Sequence, residues 1–353
     1  MGTRGEGRLR RALSPNEYRI LRAIPTSLTY TEVARKSGFS LPYVTSKVRE
    51  LARTLNIRFR VEYRMLGLSP IYVLAHYEEY FVKTVKRLGG IPYLRGIRRV
   101  FSGGKDLMVL DAIPPQGSEE RFVRMLPIRV VTYWIKEYDA RWRPDFTALT
   151  AFMDGRIRAR WDNFLNVFIR SSPVQVRRER RTVDDKDLFI IRVKETYPYV
   201  PMSEIARRLD ISQQLASYHY RKHVLPLWTG NYVEAPIDPS YPQWIFRIKL
   251  TDVEIARKLV STLSQIPYTI DAFVPRDHYS TVIAHMTLPP EDMEDFYKSL
   301  VSMGELLENV EISAIVSRDV NIHFPLPLLK AYDRGRWTFK TLEEAINLYL
   351  PRR

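Results

Sequence analysis

The sequence predicts an α+β protein in which two winged helix-turn-helix domains alternate with two ferredoxin-like βαββαβ domains. The first supporting observation is size. The chain has 353 residues, enough for about two to four domains, and 45% of them are hydrophobic, which suits globular cores. The second is an internal duplication, and the third is the order of helix and strand patterns inside each copy.

The duplication is visible as three segments that recur in the same order. The offset between the copies is 172 residues for the first pair of segments and 175 for the other two. The pairs are Thr31–Ser40 with Ser203–Ser212, Ile91–Tyr93 with Ile266–Tyr268, and Pro114-Pro115 with Pro289-Pro290. A nearly constant offset over several segments indicates that one ancestral unit was copied in tandem.

We therefore predict five consecutive parts. They are a winged helix-turn-helix domain (1–68), a ferredoxin-like domain of the effector or dimerisation type (69–165), a basic linker (166–183), a second winged helix-turn-helix domain (184–237) and a second ferredoxin-like domain (238–353). The linker contains the charged run Arg177–Arg181, which is typical of an exposed arm.

The first helical unit has clear start and stop signals. Apolar spacing predicts a helix over Glu17–Ile24, Thr31 is a good N-cap for a second helix, and Gly38 a good end for it. Ser40 caps a third helix, whose residues Val44, Val48 and Leu51 form one apolar stripe facing the core. The opposite face of this helix would then lie in the major groove of DNA.

The second unit repeats the pattern with helices over Leu188–Glu195, over Ser203–Leu209 and from Ser212 through Arg221. A wing is predicted over Ile57–Arg64, where arginines alternate with apolar residues, and in the second unit around the turn Gly230-Asn231. The candidate DNA-binding residues are Ser40, Tyr43, Thr45, Ser46, Lys47, Arg49, Arg58, Arg60, Gln213, Gln214, Ser217, Tyr218, His219, Arg221 and Lys222.

Each unit continues with the pattern β-α-β-β-α-β, the ferredoxin-like order. The predicted elements are Ile71–Tyr77, Glu78–Leu88, Leu94–Phe101, Leu107–Ile113, Ser118–Leu126 and Ile128–Ile135, and then Trp244–Leu250, Asp252–Leu263, Thr269–Val274, Thr281–Leu288, Glu291–Met303 and Val310–Val316. One face of such a sheet carries the helices and the other is left open. We expect two sheets, from one chain or from two, to cover each other, which also allows a homo-oligomer.

Charge points to nucleic acid as the first partner to consider. The net charge is +15, and the excess is uneven, because Met1–Leu68 carries 14 basic and 5 acidic residues whereas Pro236–Lys330 carries 8 and 13. A basic end and an acidic end predict one module that binds a polyanion, in this case double-stranded DNA, and another module with a different task.

The composition excludes several classes of protein and of functional site. The chain has no cysteine, which removes disulfides, thiolate metal sites and cysteine nucleophiles. It has no apolar run of the roughly 18–20 residues needed to span a bilayer, and Met1–Arg11 is polar. We expect no membrane association and a cytoplasmic, nucleoid-associated protein.

Enzyme signatures are weak, and we expect no catalytic residues, no metal and no cofactor. Gly103-Gly104-Lys105 is not a phosphate-binding loop, because Asp106 stands where Ser or Thr should hold magnesium. His219 and His223 have the i, i+4 spacing of a metal pair, but the sequence shows no third ligand near them. The acidic run Glu291–Asp295 is typical of a helix N-terminus.

The order of modules resembles the leucine-responsive regulator (Lrp/AsnC) family of bacteria and archaea, as a tandem duplication in one chain. The motifs that carry the resemblance are Ile20-Leu21, Glu32-Val33-Ala34, Gly38-Phe39-Ser40, Arg49 to Leu51, and the hairpin Gly103-Gly104-Lys105-Asp106 before an apolar strand. The second half departs, because its hairpin is Asp277-His278-Tyr279-Ser280 without the glycine. The resemblance implies a pseudo-dimer, with an amino acid or another small effector bound at Gly103 and Asp106.

The function predicted from these observations is a sequence-specific, DNA-binding transcription regulator with two different reading helices. Three alternatives stay open at this point. One is an architectural chromatin protein with low sequence specificity, another is a scaffold that docks on the transcription machinery, and a third is an RNA-binding variant that uses an open sheet.

Overall fold

Two copies of a helical unit and two copies of a β-α-β-β-α-β unit follow one another along the chain. The structure is a computed structural model, which describes residues 12–324, 331–333 and 335–349. The segment Met1–Arg11, which bears on the expected absence of a leader, lies outside the described residues.

Helices and strands are mixed along the whole described part of the chain. The helices are α1 (Pro15–Ala23), α2 (Tyr30–Ser37), α3 (Leu41–Thr54), α4 (Glu79–Arg87), α5 (Glu119–Met125), α6 (Phe164–Arg170), α7 (Asp185–Thr196), α8 (Met202–Leu209), α9 (Gln213–His219), α10 (Val253–Leu263), α11 (Met293–Val301) and α12 (Lys340–Tyr349). The strands are β1 (Ile57–Val61), β2 (Ile71–His76), β3 (Leu94–Ser102), β4 (Lys105–Ala112), β5 (Val130–Ala140), β6 (Thr150–Met153), β7 (Arg156–Ala159), β8 (Trp228–Val233), β9 (Gln243–Leu250), β10 (Thr269–Pro275), β11 (Thr281–Thr287), β12 (Leu307–His323), β13 (Tyr332–Asp333) and β14 (Arg336–Trp337).

The predicted layout of two separate ferredoxin-like domains is wrong. The eight long strands form one closed antiparallel barrel in the order β10-β11-β9-β12-β3-β4-β2-β5. The halves join where Val100 of β3 lies opposite Val316 of β12, and where Tyr138 of β5 lies opposite Val274 of β10. Each half would leave two strand edges with unpaired N–H and C=O groups, and the other half satisfies them.

The two predicted wings are also wrong. β1 pairs with β8 across the two halves in one small antiparallel sheet, with Phe59 opposite Asn231. Gly230 lies within β8 rather than in a hairpin turn. Its φ is +122°, and a Cβ there would approach the Pro25 carbonyl oxygen to 3.0 Å, so glycine suits this strand position.

Local signals explain the helix boundaries. The Ser14 side chain and the Glu17 side chain cap α1 reciprocally, and Asp184 and Asp187 do the same for α7. The N-cap of α2 is Thr29 rather than the predicted Thr31, whereas Gly38 ends α2 in the left-handed conformation as predicted.

Four apolar clusters hold these elements together. Two of them lie between the barrel strands and the helices outside, around Phe122 and Phe296 respectively, and a third fills the first helical unit around Val48. The fourth contains strand residues alone, among them Val109 and Phe273, so it lies inside the barrel.

The charged run Arg177–Arg181 is exposed, and two of its residues also contact neighbouring elements. The Arg178 guanidinium forms an ion pair with Glu137 of β5, and the backbone N–H of Arg181 donates to the Met65 carbonyl. Val183 is buried. None of the helices in the described part of the chain is both long and apolar enough to cross a membrane.

Candidate functional site

The β1–β8 sheet covers one end of the barrel because of the chain connections. β1 is followed within ten residues by the start of β2, and β8 precedes the start of β9 at a similar distance. Neighbouring strands of the barrel run in opposite directions, so β2 and β9 run in the same direction. Their starts therefore lie at the same end of the barrel, beside the ends of β4 and β11. The small sheet therefore has one face toward the two helical units and the other toward the barrel mouth.

Alternation along β1 separates the two faces of this sheet. Ile57, Phe59 and Val61 are buried in the apolar clusters, whereas Arg58 and Arg60 lie on the face toward the barrel. Arg60 Nη2 lies 3.5 Å from Asp139 Oδ2 of β5, and the Arg141 guanidinium lies 5.5 Å from the ring centre of Tyr232 in β8. These contacts bridge the small sheet and the barrel.

We call this end of the barrel the basic recess. Its residues are Arg58, Arg60, Arg95, Arg98, Arg141, Tyr232, His285 and His323. The Arg60 and Arg141 side chains retain 30% and 27% of their accessible surface although protein surrounds them. Both side chains are therefore partly accessible to solvent.

A buried ion cluster forms the floor of the recess. Lys136 Nζ lies 2.6 Å from Asp271 Oδ2 and 3.2 Å from Asp111 Oδ1, with Arg141 Nε 3.4 Å from Asp271 Oδ1. Burial opposes the charge of Lys136, but the two carboxylates raise its pKa above the usual value. The cluster ties β5 to β4 and β10, and so joins the two halves from inside.

Two arginines of the recess have neutral partners. Arg58 donates to Asn56 Oδ1 at 3.4 Å and Arg98 donates to Tyr72 Oη at 3.3 Å. Among the described residues, no carboxylate lies within 4.0 Å of either guanidinium. Burial and the neighbouring Arg95 lower the pKa of Arg58, so a bound anion would relieve repulsion between these cations.

The recess also holds two histidines whose surroundings disfavour protonation. Burial, and then the charge of Arg98, lower the pKa of His285 well below its ordinary value of 6.5. Burial, and then Arg58 and Arg95, do the same for His323. His285 Nε2 contacts Gln243 Oε1 at 3.1 Å, and its buried Nδ1 has no hydrogen-bond partner within the described chain.

The structure places most of the predicted DNA-binding residues on the surface of the helical units. Exposed or partly exposed are Ser40, Tyr43, Thr45, Ser46, Lys47, Arg49, Gln213, Gln214, Ser217, Tyr218, Arg221 and Lys222. His219 is different, because its ring is buried against Asp187. Arg58 and Arg60 lie in the basic recess rather than on a wing. These residues are therefore divided among three places in the molecule.

The predicted effector residues lie at the turn between β3 and β4. Gly103 has a φ of +54°, as the turn requires, and the Asp106 carboxylate accepts from Arg99 Nε at 2.9 Å and Nη2 at 2.7 Å. The assignment of an effector to this turn stays a prediction.

Sequence reasoning misses most of the recess. It gives no functional role to Arg95, Arg98, Lys136, Arg141, Asp271, His285 or His323. A signal is present, since Asp111 and Asp271 interrupt otherwise apolar strands. A charged residue inside a barrel strand needs a partner there, and the partner is Lys136.

Among the comparisons with known proteins, only the one with solved structures finds matches. No protein-family model and no curated protein matches the chain. A crystal structure of the siroheme decarboxylase NirDL matches with a TM-score of 0.52 and 12% identity, over 94% of this chain and 98% of that one. A second NirDL structure, in complex with an iron-uroporphyrin III analogue, matches with a TM-score of 0.53 and 10% identity, over 94% and 99%.

These matches contradict the predicted identity. Both of these solved structures, which share the fold over 94% of this chain, are of an enzyme and not of a DNA-binding regulator of the Lrp/AsnC family. The predictions of a transcription regulator, of its architectural and scaffold alternatives, of a non-enzymatic protein and of nucleoid association are therefore not supported. The strands predicted as wings pair with each other in the β1–β8 sheet, so the helical units lack the wing hairpins on which the prediction of a DNA-binding function depended.

Proposed function

We propose that the chain binds a tetrapyrrole polycarboxylate in the basic recess and releases one or more of its carboxylates as CO2. The observation that carries the proposal is the pair Arg58 and Arg98, two partly buried arginines without carboxylate partners in the described chain, at one end of the barrel. Guanidinium groups bind carboxylates with two parallel hydrogen bonds, and such charge-assisted bonds are the strong ones. NirDL, which has this architecture, is a siroheme decarboxylase and has been seen with an iron-uroporphyrin III analogue.

The arginines would hold and orient the ligand. Arg58 comes from the small sheet and Arg98 from the barrel, so a flat ligand with carboxylates on its rim would be held from two sides. A substrate held in one orientation exposes one carboxylate to the reacting groups.

Decarboxylation breaks the bond between the substrate carbon and its carboxylate. CO2 leaves, and the electron pair that remains on carbon takes up one proton. We assign the relay of this proton from water to His323, because its side chain is partly exposed in the recess and burial lowers its pKa well below 6.5. The surrounding arginines stabilise negative charge that develops on the substrate.

The test uses iron-uroporphyrin III as the probe. We expect saturable binding to the full chain, seen as a shift of the porphyrin absorption band, and products lighter by the mass of CO2. Lys222→Ala, on the exposed surface of the second helical unit and outside the recess, serves as the control and should bind as the wild type does. Lack of saturable binding would refute the proposal, and tight binding without CO2 release would refute its catalytic part.

A further inference from the structure

We propose a second site, in which Asp187, His219 and His223 bind a divalent transition-metal ion such as Zn²⁺. The site lies in the second helical unit, outside the basic recess, and it does not depend on the function proposed above. The sequence shows only the histidine pair; the fold supplies the third ligand. The nitrogen and oxygen atoms that would bind the metal all lie within 4.8 Å of one another.

The three side chains already face one another. His219 Nδ1 lies 2.9 Å from Asp187 Oδ1, and His223 Nδ1 lies 2.9 Å from Asp187 Oδ2. The histidine ring centres are 5.3 Å apart, with the ring planes at 82°. Two imidazoles and one carboxylate on one side of a shared point are the ligand set of many zinc and iron(II) sites, with the other positions open to water or substrate.

Backbone geometry fixes the ligands in place. Asp187 is fully buried, and its carboxylate also accepts from the Asp184 backbone N–H at 2.9 Å in the capping box of α7. His219 is the last residue of α9, and His223 lies in the π-helical turn Tyr220–Val224 that follows it. Single π-helical turns occur frequently at functional sites.

The site is accessible from solvent on one side. The His223 side chain is 34% exposed, and Asp184, whose Oδ1 lies 3.7 Å from His219 Nδ1, is 48% exposed. A metal ion can therefore enter past His223, and Asp184 is placed to act as a further ligand or to orient a bound water. The two imidazoles favour Zn²⁺, Co²⁺ and similar ions over Ca²⁺ or Mg²⁺.

The first helical unit provides an internal comparison. There the capping box places Glu17 at the position of Asp187, and Lys47 Nζ lies 3.6 Å from Glu17 Oε1. Lys47 precedes His219 by 172 residues, the offset of the repeat, and Leu51 precedes His223 by the same number. An ammonium group cannot bind a metal ion, so the first unit keeps a buried acid with a cation where the second unit has a ligand set.

The test is titration of the full chain with Co²⁺ and Zn²⁺ after removal of metal with a chelator. We expect one Co²⁺ per chain, seen by visible absorption, with competition by Zn²⁺. His223→Gln, at a partly exposed position, and Asp187→Asn should each weaken the affinity at least about tenfold. His278→Gln, at an exposed histidine outside the site, should leave it unchanged.

A purely structural hydrogen-bonded cluster gives different results. Wild-type protein that binds no Co²⁺, or His223→Gln and Asp187→Asn variants that bind it as the wild type does, would overturn the proposal. Proton NMR of the wild-type histidine rings provides a measurement that does not depend on a variant folding. Zn²⁺ should shift two ring signals, and binding that shifts neither would overturn the proposal as well.

Discussion

The two halves of the chain share one order of elements but contribute different chemistry to the basic recess. All five of its arginines, from Arg58 to Arg141, belong to the first half, whereas both histidines, His285 and His323, belong to the second. A symmetric dimer would have two equivalent sets of groups, whereas the fused chain has one set, with the arginines from the first half and the histidines from the second.

The largest expected effect comes from breaking the ion cluster that joins the halves. Lys136→Met leaves Asp111 and Asp271 buried without their shared cation, and we expect a loss of about 3–5 kcal/mol in the free energy of unfolding. Denaturation with urea measures this change. Lys249→Met on β9 of the second half removes an exposed pair with Glu308 and should cost at most about 1 kcal/mol. Similar losses for the two variants would show that Lys136 does not join the halves.

The next prediction concerns the arginines of the basic recess alone. Arg98→Ala removes a guanidinium that has no carboxylate partner in the described chain, but the buried Tyr72 hydroxyl loses this donor. We therefore expect a loss of about 1–3 kcal/mol in the free energy of unfolding. The affinity for iron-uroporphyrin III should fall about ten- to a hundredfold, since a hydrogen bond to a charged group contributes about 1.5–3 kcal/mol. Arg247→Ala, at an exposed arginine of β9 paired with Glu311, is the matched control from the second half. Equal affinities of the two variants would remove Arg98 from the site.

The helices and most strand positions of this fold follow from the sequence, because their signals are local. Helical spacing, N-caps and the glycine at position 38 act within one turn of chain, and α3 and α8 lie where these signals predict. The order β-α-β-β-α-β is present in both halves for the same reason. Barrel closure is different, since the pairs β3–β12 and β5–β10 join strands more than one hundred residues apart.

The candidate sites depend on those distant pairings and are therefore difficult to predict. The alternation around Arg58 and Arg60 indicates a polyanion-binding strand, but their predicted place in a wing is wrong because β1 pairs with β8. The metal-type spacing of His219 and His223 is visible in the sequence too. Its third ligand, Asp187, lies 32 residues before His219 and is brought to it only by the packing of α7 against α9.

The smallest expected effect concerns the two histidines of the recess and is seen in the pH dependence of stability. The native pKa of His285 is far below 6.5 and its unfolded pKa is near 6.5, so below this pH the unfolded chain binds a proton that the native chain does not. Native stability must therefore fall as the pH drops from about 6.5 toward 5, by about 1.4 kcal/mol per pH unit for each such histidine. His323 lowers stability at acid pH in the same way, because burial and the first-half arginines lower its pKa.

We expect urea midpoints of His285→Gln to decline less over this range than those of the wild type, with His278→Gln following the wild type. An unchanged decline in His285→Gln would mean that the native barrel does not lower the pKa of this ring.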